Sequence, residues 1–204
     1  MAKILIVYGT AYGQTERIAL EIARVLRNSE YAVDVARGDR LPTGLALDEY
    51  DGFLIAASVL YGRHQRYIQT FVRDHVTRLN AMPSAFVSVC GAMAGSAPEG
   101  VAMAQGYLEK FLRTTGWLPK IAESFAGELA YTRYSPWIRW MMKMISRRTG
   151  RPTDTSRDYD LTDWARVDQF AQQFAALFAA ARHGIGRSVT ARSEARKSDL
   201  DELC

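Results

Sequence analysis

The chain has 204 residues and a formal net charge of +4, and 48% of its residues are hydrophobic and 24% are charged. These values are ordinary for a globular protein, so they exclude an intrinsically disordered chain and allow one domain with an insertion. The two cysteines, Cys90 and Cys204, are far apart, which argues against a disulfide framework and for a reducing compartment. We expect neither a signal peptide nor a membrane-spanning helix, because Lys3 already begins the first apolar run and no such run reaches about 18 residues.

Segments with the patterns of strands and helices alternate along the chain. Apolar, often β-branched runs predict strands at residues 3–8, 31–36, 53–57, 85–90 and 121–129. Apolar residues at helical spacing predict helices after residue 15 and at residues 67–79, 101–112 and 164–181. This alternation predicts an α/β fold with a doubly wound, five-stranded, mostly parallel sheet. We expect one domain at residues 1–182 with an insertion at about 131–160, followed by a polar, disordered tail at 183–204.

The turn between the first strand and the first helix, residues 9–15, is rich in glycine and hydroxyl groups and carries no charge. Backbone N–H groups at a helix start bind anions, and Gly13 lets the backbone approach one closely. The turn lacks the lysine of a Walker loop and the three glycines of the dinucleotide fingerprint. We therefore predict a site for a terminal phosphate that is held by uncharged donors. Its predicted residues are Thr10, Ala11, Tyr12, Gly13, Gln14 and Thr15.

Two further segments are expected at the same edge of the sheet, because ligands in doubly wound folds bind beyond the carboxyl ends of the strands. Residues 58–64 contain the pair Tyr61 and Gly62. The aromatic ring of Tyr61 can stack on a flat ring, and a backbone N–H beside it can reach the edge of that ring. Residues 90–97 are small and glycine-rich, which lets a flat ring lie against the backbone. The predicted ring-binding residues are Ser58, Val59, Leu60, Tyr61, Gly62, Cys90, Gly91, Ala92 and Met93.

The insertion before the last helix is basic, since residues 129–153 contain no Asp or Glu. Ser135 and Pro136 are typical of a helix start, and residues 150–152 of its end. The apolar residues between them lie at helical spacing, which is typical of a basic amphipathic helix in a membrane interface; they are Trp137, Trp140, Met141, Met144 and Ile145. The alternative is a surface helix that packs these residues on the domain. The residues predicted to contact substrate or an anionic membrane are Arg133, Trp137, Arg139, Trp140 and Lys143, the two arginines being candidates for substrate carboxylates.

The phosphate turn resembles the flavodoxin loop Ser/Thr-x-Thr-Gly-x-Thr, with Tyr12 at the position of the middle threonine. Over residues 3–180 the chain resembles the flavodoxin-type, quinone-dependent protoporphyrinogen IX oxidases of haem biosynthesis. The segments that carry this resemblance are residues 12–15, 57–62, 77–86, 131–134 and 162–164. The resemblance implies FMN as cofactor, protoporphyrinogen IX as substrate and menaquinone or ubiquinone as electron acceptor. It also implies peripheral attachment to the cytoplasmic side of the cell membrane through the insertion.

The implied redox chemistry resides in the flavin, so the protein is expected to supply binding and tuning rather than a nucleophile or a metal. His64 is the one titratable group expected near the flavin and could relay protons; the alternative is an exposed histidine in a turn. No metal site is predicted, since His75 and His183 lie in other contexts. We interpret Cys90, at a strand end, as a small buried residue rather than a redox thiol.

Other functions are weighed against this one. A one-electron flavodoxin carrier is disfavoured, because such carriers are usually acidic around the flavin and this chain is basic there. A flavodoxin-like NAD(P)H:quinone reductase stays open, because such enzymes often lack a nicotinamide signature. A flavin-free scaffold on the membrane would require an empty phosphate turn. Nucleic-acid binding is not expected, because the basic residues alternate with tryptophan and methionine at helical spacing. A homo-oligomer is left open.

Overall fold

The computed structural model describes residues 1–93 and 98–180 of the chain. Its strands are β1 (Lys3–Gly9), β2 (Ala32–Arg37), β3 (Gly52–Leu60), β4 (Arg63–His64), β5 (Ser84–Cys90), β6 (Ile121–Ala126), β7 (Glu128–Leu129) and β8 (Tyr159–Asp160). Its helices are α1 (Gln14–Asn28), α2 (Arg66–Asp74), α3 (Val76–Ala81), α4 (Pro98–Thr115), α5 (Pro136–Arg148) and α6 (residues 164–180). Short 3₁₀ turns occupy Leu47–Glu49, Gly91–Met93 and Tyr131–Arg133.

In the described part of the chain, five of these strands form a parallel sheet in the order β2-β1-β3-β5-β6. Its register places Val7 of β1 beside Ile55 of β3, and Ile55 beside Phe86 of β5. Parallel strands between two helical layers are buried on both faces, which explains their near-continuous apolar sequences. The strand order reverses between β1 and β3, the point at which doubly wound folds bind their ligands. This order confirms the predicted flavodoxin-like fold class.

Alternate side chains of each strand enter two separate cores, because strand side chains point in turn to opposite faces of a sheet. Ile4 and Ile6 of β1 pack with α1 and α6 on one side, whereas Leu5 and Val7 pack with α2 and α4 on the other. All four are fully buried, and such burial stabilises the fold by about 1.5–3 kcal/mol per side chain. The two cores hold the sheet between them and fix the positions of the loops at its edge.

Strand β3 is longer than the sequence pattern indicates. It continues through Ser58, Val59 and Leu60, which the pattern assigns to a loop. The reason is that Val59 and Leu60 pair in antiparallel register with His64 and Arg63 of β4. Residues 58–64 are therefore a β-hairpin rather than a loop, which gives this side of the site a rigid support.

Two predicted elements are divided in the structure. The helix predicted at residues 67–79 is interrupted at His75, whose backbone has φ −117° and ψ 14° and whose ring packs against Phe71. The strand predicted at residues 121–129 ends at Ala126. After Gly127 the chain turns aside, and β7 pairs with β8 instead of extending the main sheet.

The insertion has a small core of its own beside the sheet edge. Tyr131 and Tyr134 are buried in this core, and Ile138 of α5 packs against them. The Tyr131 hydroxyl donates to Pro152 O at 2.8 Å and pairs with Ser146 Oγ at 2.6 Å. These contacts join both ends of α5 to the turn before it, so the insertion is a packed unit.

Helix α5 begins at Pro136, as predicted, although the side chain of Ser135 makes no capping hydrogen bond. Its last turn contains Arg147 and Arg148, which interact favourably with the negative end of the helix dipole. Within residues 1–93 and 98–180, no helix is long and apolar enough to cross a membrane. The predicted tail at residues 183–204 lies outside the described residues.

Candidate functional site

A cleft of about 620 Å³ opens at the carboxyl ends of β1, β3 and β5. Thr10, Tyr61 and Ala92 all line it, so the structure brings together the three segments that the sequence predicts to converge. Helix α5 of the insertion supplies a further wall. The volume lies within the range of about 300–1,000 Å³ that is usual for ligand-binding pockets.

One end of the cleft, the predicted phosphate end, is formed by the turn before α1. Gly13 adopts φ +100° and its N–H donates to Thr10 Oγ1 at 2.9 Å, which closes the turn. Thr15 is 1% exposed, and its hydroxyl has no hydrogen-bond partner among the described residues. A buried hydroxyl without a partner is rare in proteins and costs about 1–3 kcal/mol. An acceptor oxygen at the positive end of α1 would satisfy it, so the turn fits a terminal phosphate.

The side chain of Gln14, which was predicted to bind phosphate, is instead engaged by protein groups. Its side-chain N–H group donates to Asp160 Oδ1 at 2.8 Å and to Thr162 Oγ1 at 2.7 Å. Its Oε1 accepts a hydrogen bond from Arg17 at 2.9 Å. The Gln14 amide therefore fastens the start of α1 to the segment before α6, and its backbone N–H is the donor that it leaves for an anion.

Arg133 of the insertion lies against the phosphate turn. Its guanidinium donates to Tyr12 O and to Glu128, and its Nε donates to Asp158 Oδ2 at 3.2 Å. The two carboxylates offset the charge of the guanidinium, so Arg133 braces the turn more than it attracts an anion. Its predicted contact with substrate carboxylates would require it to exchange these partners.

Tyr12 also links the turn to the insertion. Its ring packs edge-to-face on Tyr134, with 4.9 Å between the ring centroids, and both residues line the cleft. Burial raises the pKa of each phenol. Tyr12 therefore acts mainly as a packing residue at the position where flavodoxin loops carry a threonine.

The β3–β4 hairpin turn provides one side of the cleft at the end that is predicted to hold a ring. Tyr61 and Gly62 both have positive φ angles, 49° and 74°, as the two-residue turns that fit the strand twist require. Tyr61 is 70% exposed. Ser58, Val59 and Leu60 line the cleft from the strand below this turn.

The opposite side is the segment after β5. Gly91 and Ala92 line the cleft, whereas Met93, which was predicted with them, does not. Cys90 lines it too, but its thiol is buried and accepts a hydrogen bond from Ala92 N at 3.4 Å. Burial raises the pKa of this thiol, which agrees with the interpretation of Cys90 as a small, unreactive residue. Residues 94–97 of the predicted loop lie outside the described part.

Helix α5 divides its apolar residues between two faces. One face lines the cleft with Ile138, Met141, Met142 and Ile145. The other face is open to solvent: Trp137 is 68% and Trp140 56% exposed, and their rings stack with centroids 5.1 Å apart. The sequence pattern combines residues of both faces into one and omits Ile138 and Met142, because it cannot show which side of the helix meets the domain.

The cations of the insertion also differ in their positions. Arg139 donates through Nε to Tyr131 O at 2.8 Å and through Nη2 to Thr132 O and Tyr134 O, so it caps the preceding 3₁₀ turn. Lys143 is exposed on α5.

Two other arginines, Arg148 and Arg151, line the cleft. Arg151 is half-buried, and its Nη2 donates to Ala92 O at 3.3 Å. Burial lowers the pKa of Arg151. The sequence pattern shows both residues as part of a basic segment but does not connect them with the site, and the helix end predicted at residues 150–152 is a signal close to them.

His64 is buried and is not among the residues that line the cleft, so the interpretation as an exposed histidine in a turn is wrong, and its role as a proton relay stays a prediction. It is 6% exposed, its Nε2 lies 2.9 Å from Ser88 Oγ, and its ring packs on Phe86 and Phe111. Pairing of β4 with β3 turns the side chain into the core, and burial lowers its pKa to about 4. Within the described residues, no group of three or more His, Cys, Asp or Glu side chains is placed to hold a metal ion.

Comparison with known proteins agrees with this architecture. A family model described as a flavodoxin domain matches residues 5–156. The crystal structure of oxidised flavodoxin 1 from Bacillus cereus superposes with a TM-score of 0.52 at 19% identity, covering 86% of this chain and 98% of that one. A flavodoxin from Streptococcus pneumoniae TIGR4 gives a TM-score of 0.51 at 18% identity, covering 86% and 99%. These two structures support the fold.

Curated relatives are closer in sequence. The chain is 38% identical over 175 residues to the protoporphyrinogen IX dehydrogenase [quinone] of Escherichia coli K12, covering 86% of this chain and 96% of the relative. It is 36% identical over 179 residues to the protein of the same name from Leishmania major, covering 86% and 75%. Membership of the flavodoxin domain family implies a flavin cofactor. The chain thus belongs to the flavodoxin domain family and, within it, to the flavodoxin-like, quinone-dependent protoporphyrinogen IX oxidases.

Proposed function

We propose that the protein is an FMN-dependent oxidoreductase that oxidises protoporphyrinogen IX to protoporphyrin IX and uses a membrane quinone, menaquinone or ubiquinone, as electron acceptor. The observation that carries this proposal is the 38% identity with a protoporphyrinogen IX dehydrogenase [quinone] over nearly all of that relative. The region that the flavodoxin family model matches, residues 5–156, includes the turn before α1 and most of the insertion, both of which line the cleft.

FMN is supported by the chemistry of the phosphate end. The unpartnered Thr15 hydroxyl, the Thr10 hydroxyl and the N–H groups at the start of α1 would hold its phosphate. Tyr61 and the backbone near Gly62 and Ala92 would hold its flat ring. When bound, FMN supplies the two-electron redox chemistry that none of the side chains can provide.

The protein's own side chains bind, orient and exclude water. Two cleft residues are poorly suited to general acid–base chemistry: burial raises the pKa of the Cys90 thiol, and Glu128 is paired with Arg133. The wall formed by Met141 and Ile145 is apolar, so it suits a large, flat, mostly apolar substrate and keeps water from it.

We also propose that the solvent face of α5 binds the anionic surface of the cell membrane on its cytoplasmic side. Trp137, Trp140 and Met144 are exposed there beside Lys143, and the helix contains no acidic residue. Exposed tryptophans next to cations favour the interface between lipid head groups and acyl chains. Because α5 also lines the cleft with its opposite face, attachment through α5 would place the cleft next to the membrane, where lipid-soluble compounds are found.

An anaerobic reduction experiment tests the enzymatic function. Protoporphyrinogen IX and NADH are added separately to the FMN-loaded protein, and the yellow absorption band of the flavin is followed. We expect protoporphyrinogen IX to bleach the band, NADH to leave it unchanged, and an added quinone to restore it. Bleaching by NADH alone would instead identify a nicotinamide-dependent quinone reductase, and a band that neither compound bleaches would refute both enzymatic functions.

A further inference from the structure

Two arginines at the end of helix α5 and just after it line the cleft and have no acidic partner among the described residues. Arg148 is the last residue of α5, and Arg151 follows three residues later, where its backbone N–H donates to Ser146 O at 2.9 Å. Both line the cleft. In the described part of the chain neither residue forms an ion pair, although the arginines Arg17, Arg24 and Arg133 do.

Arg151 is the more confined of the two. It donates one hydrogen bond, from Nη2 to Ala92 O at 3.3 Å. Its Nε is buried and has no acceptor among the described residues. A guanidinium has five N–H donors, and leaving them unsatisfied away from water is costly, so such a group calls for an anionic acceptor.

The other charged groups around the cleft do not supply that acceptor. Glu128 is held by Arg133, and Glu99 of α4 lines the cleft without an ion pair to either arginine in the residues described. The two arginines that the sequence suggested for substrate carboxylates, Arg133 and Arg139, are engaged by protein oxygens. Among these four arginines, those without a carboxylate partner therefore lie at the C-terminal end of α5 and just after it.

We propose that Arg148 and Arg151 bind the two carboxylates of a flat, apolar dicarboxylate, and so determine the specificity of the cleft. This proposal rests on the proposed function, because the propionates of a tetrapyrrole are the carboxylates it assigns. The apolar residues Met141 and Ile145 lie on the same wall of the cleft and would contact the macrocycle while the guanidiniums bind its acidic edge. Paired N–H donors match the geometry of a carboxylate, which a lysine cannot reproduce.

The experiment compares an acid with its ester. Protoporphyrin IX and its dimethyl ester are titrated into the FMN-loaded protein, and binding is followed by the shift of the porphyrin absorption band. The variants are Arg148→Gln and Arg151→Gln, and Arg147→Gln is the matched control, because Arg147 is an exposed neighbour that does not line the cleft. Arg148 is exposed and forms no side-chain hydrogen bond or ion pair within the described residues, so the Arg148→Gln variant is expected to fold.

We expect each cleft variant to weaken binding of the diacid by about tenfold or more, the usual effect of losing one charge-assisted hydrogen bond. Binding of the dimethyl ester and of FMN should stay unchanged, and in turnover the KM should rise with little change in kcat. Arg147→Gln should bind the diacid like the wild type.

The proposal is overturned if Arg147→Gln weakens the diacid equally, if the ester loses as much affinity as the acid, or if FMN binding falls instead. These measurements use the oxidised porphyrin and need no turnover. The proposal can thus fail while wild-type flavin is still bleached by protoporphyrinogen IX, and failure of that bleaching would refute the proposed function separately.

Discussion

Replacing Thr15 by valine should separate cofactor binding from folding. The Thr15 hydroxyl is buried at the start of α1 and has no hydrogen-bond partner within the described residues. Valine keeps the shape of threonine and removes the hydroxyl, so the free energy of unfolding of the flavin-free protein should stay the same or rise. A hydrogen bond to a charged group contributes about 1.5–3 kcal/mol. The Kd of FMN should therefore increase roughly 10- to 150-fold.

The assay is a titration of flavin fluorescence, which is quenched on binding, carried out with FMN and with riboflavin. Riboflavin lacks the phosphate, so its affinity should be the same for Thr15→Val and the wild type. Thr115→Val is the matched control, because Thr115 is also buried but donates to Phe111 O at 2.9 Å, far from the cleft. This control should lose stability and keep its FMN affinity. If Thr15→Val binds FMN like the wild type, or loses riboflavin as strongly as FMN, the phosphate is not held at this turn.

The remaining predictions concern pH and membrane binding. The pKa of His64 is lowered from 6.5 to about 4 in the folded protein. Below about pH 6.5, His64 therefore binds a proton in the unfolded chain but stays neutral in the folded protein. The contribution of His64 to the free energy of unfolding should be constant above that pH and should fall by at most about 3 kcal/mol as the pH drops toward 4. Urea denaturation at pH 7.5 and at pH 5 measures this change. A His64→Gln variant with the same pH profile as the wild type would contradict the prediction. Replacing Trp137 and Trp140 by Glu should weaken sedimentation with anionic vesicles at least about 30-fold, because two negative charges near such a surface cost about 1 kcal/mol each. FMN should stay bound. As a control, replacing the exposed Leu20 and Leu118 by Glu should leave vesicle binding intact. Equal loss of vesicle binding in both double variants would refute the solvent face of α5 as the membrane-binding surface.

The features that could be predicted were those encoded in short stretches of sequence. The apolar run of β1, the glycine and hydroxyls that follow it and the helical spacing after Gln14 are local patterns. They sufficed to predict the fold class and to propose the phosphate turn, which stays a prediction. The insertion helix was also predictable, because Pro136 marks its start and the following residues have helical periodicity.

What the sequence could not decide depends on contacts between distant residues. The pairing of β4 with β3 turns His64 into the core, where a local pattern suggests a turn. Arg133 reaches Tyr12 across 121 positions of sequence, and this contact makes it a brace for the turn.

By itself, then, the sequence determined the α/β alternation, the glycine- and hydroxyl-rich turn before α1 and the basic helix, since each follows from the conformational preferences of neighbouring residues. Only the tertiary structure decided which faces of that helix meet the cleft and the solvent, and which of its arginines are free. The physical reason is that a guanidinium or an apolar side chain is assigned its role by the groups packed around it. Arg139 finds the carbonyl oxygen of Tyr131, whereas Arg151 is left with a buried, unpartnered Nε in the described part of the chain.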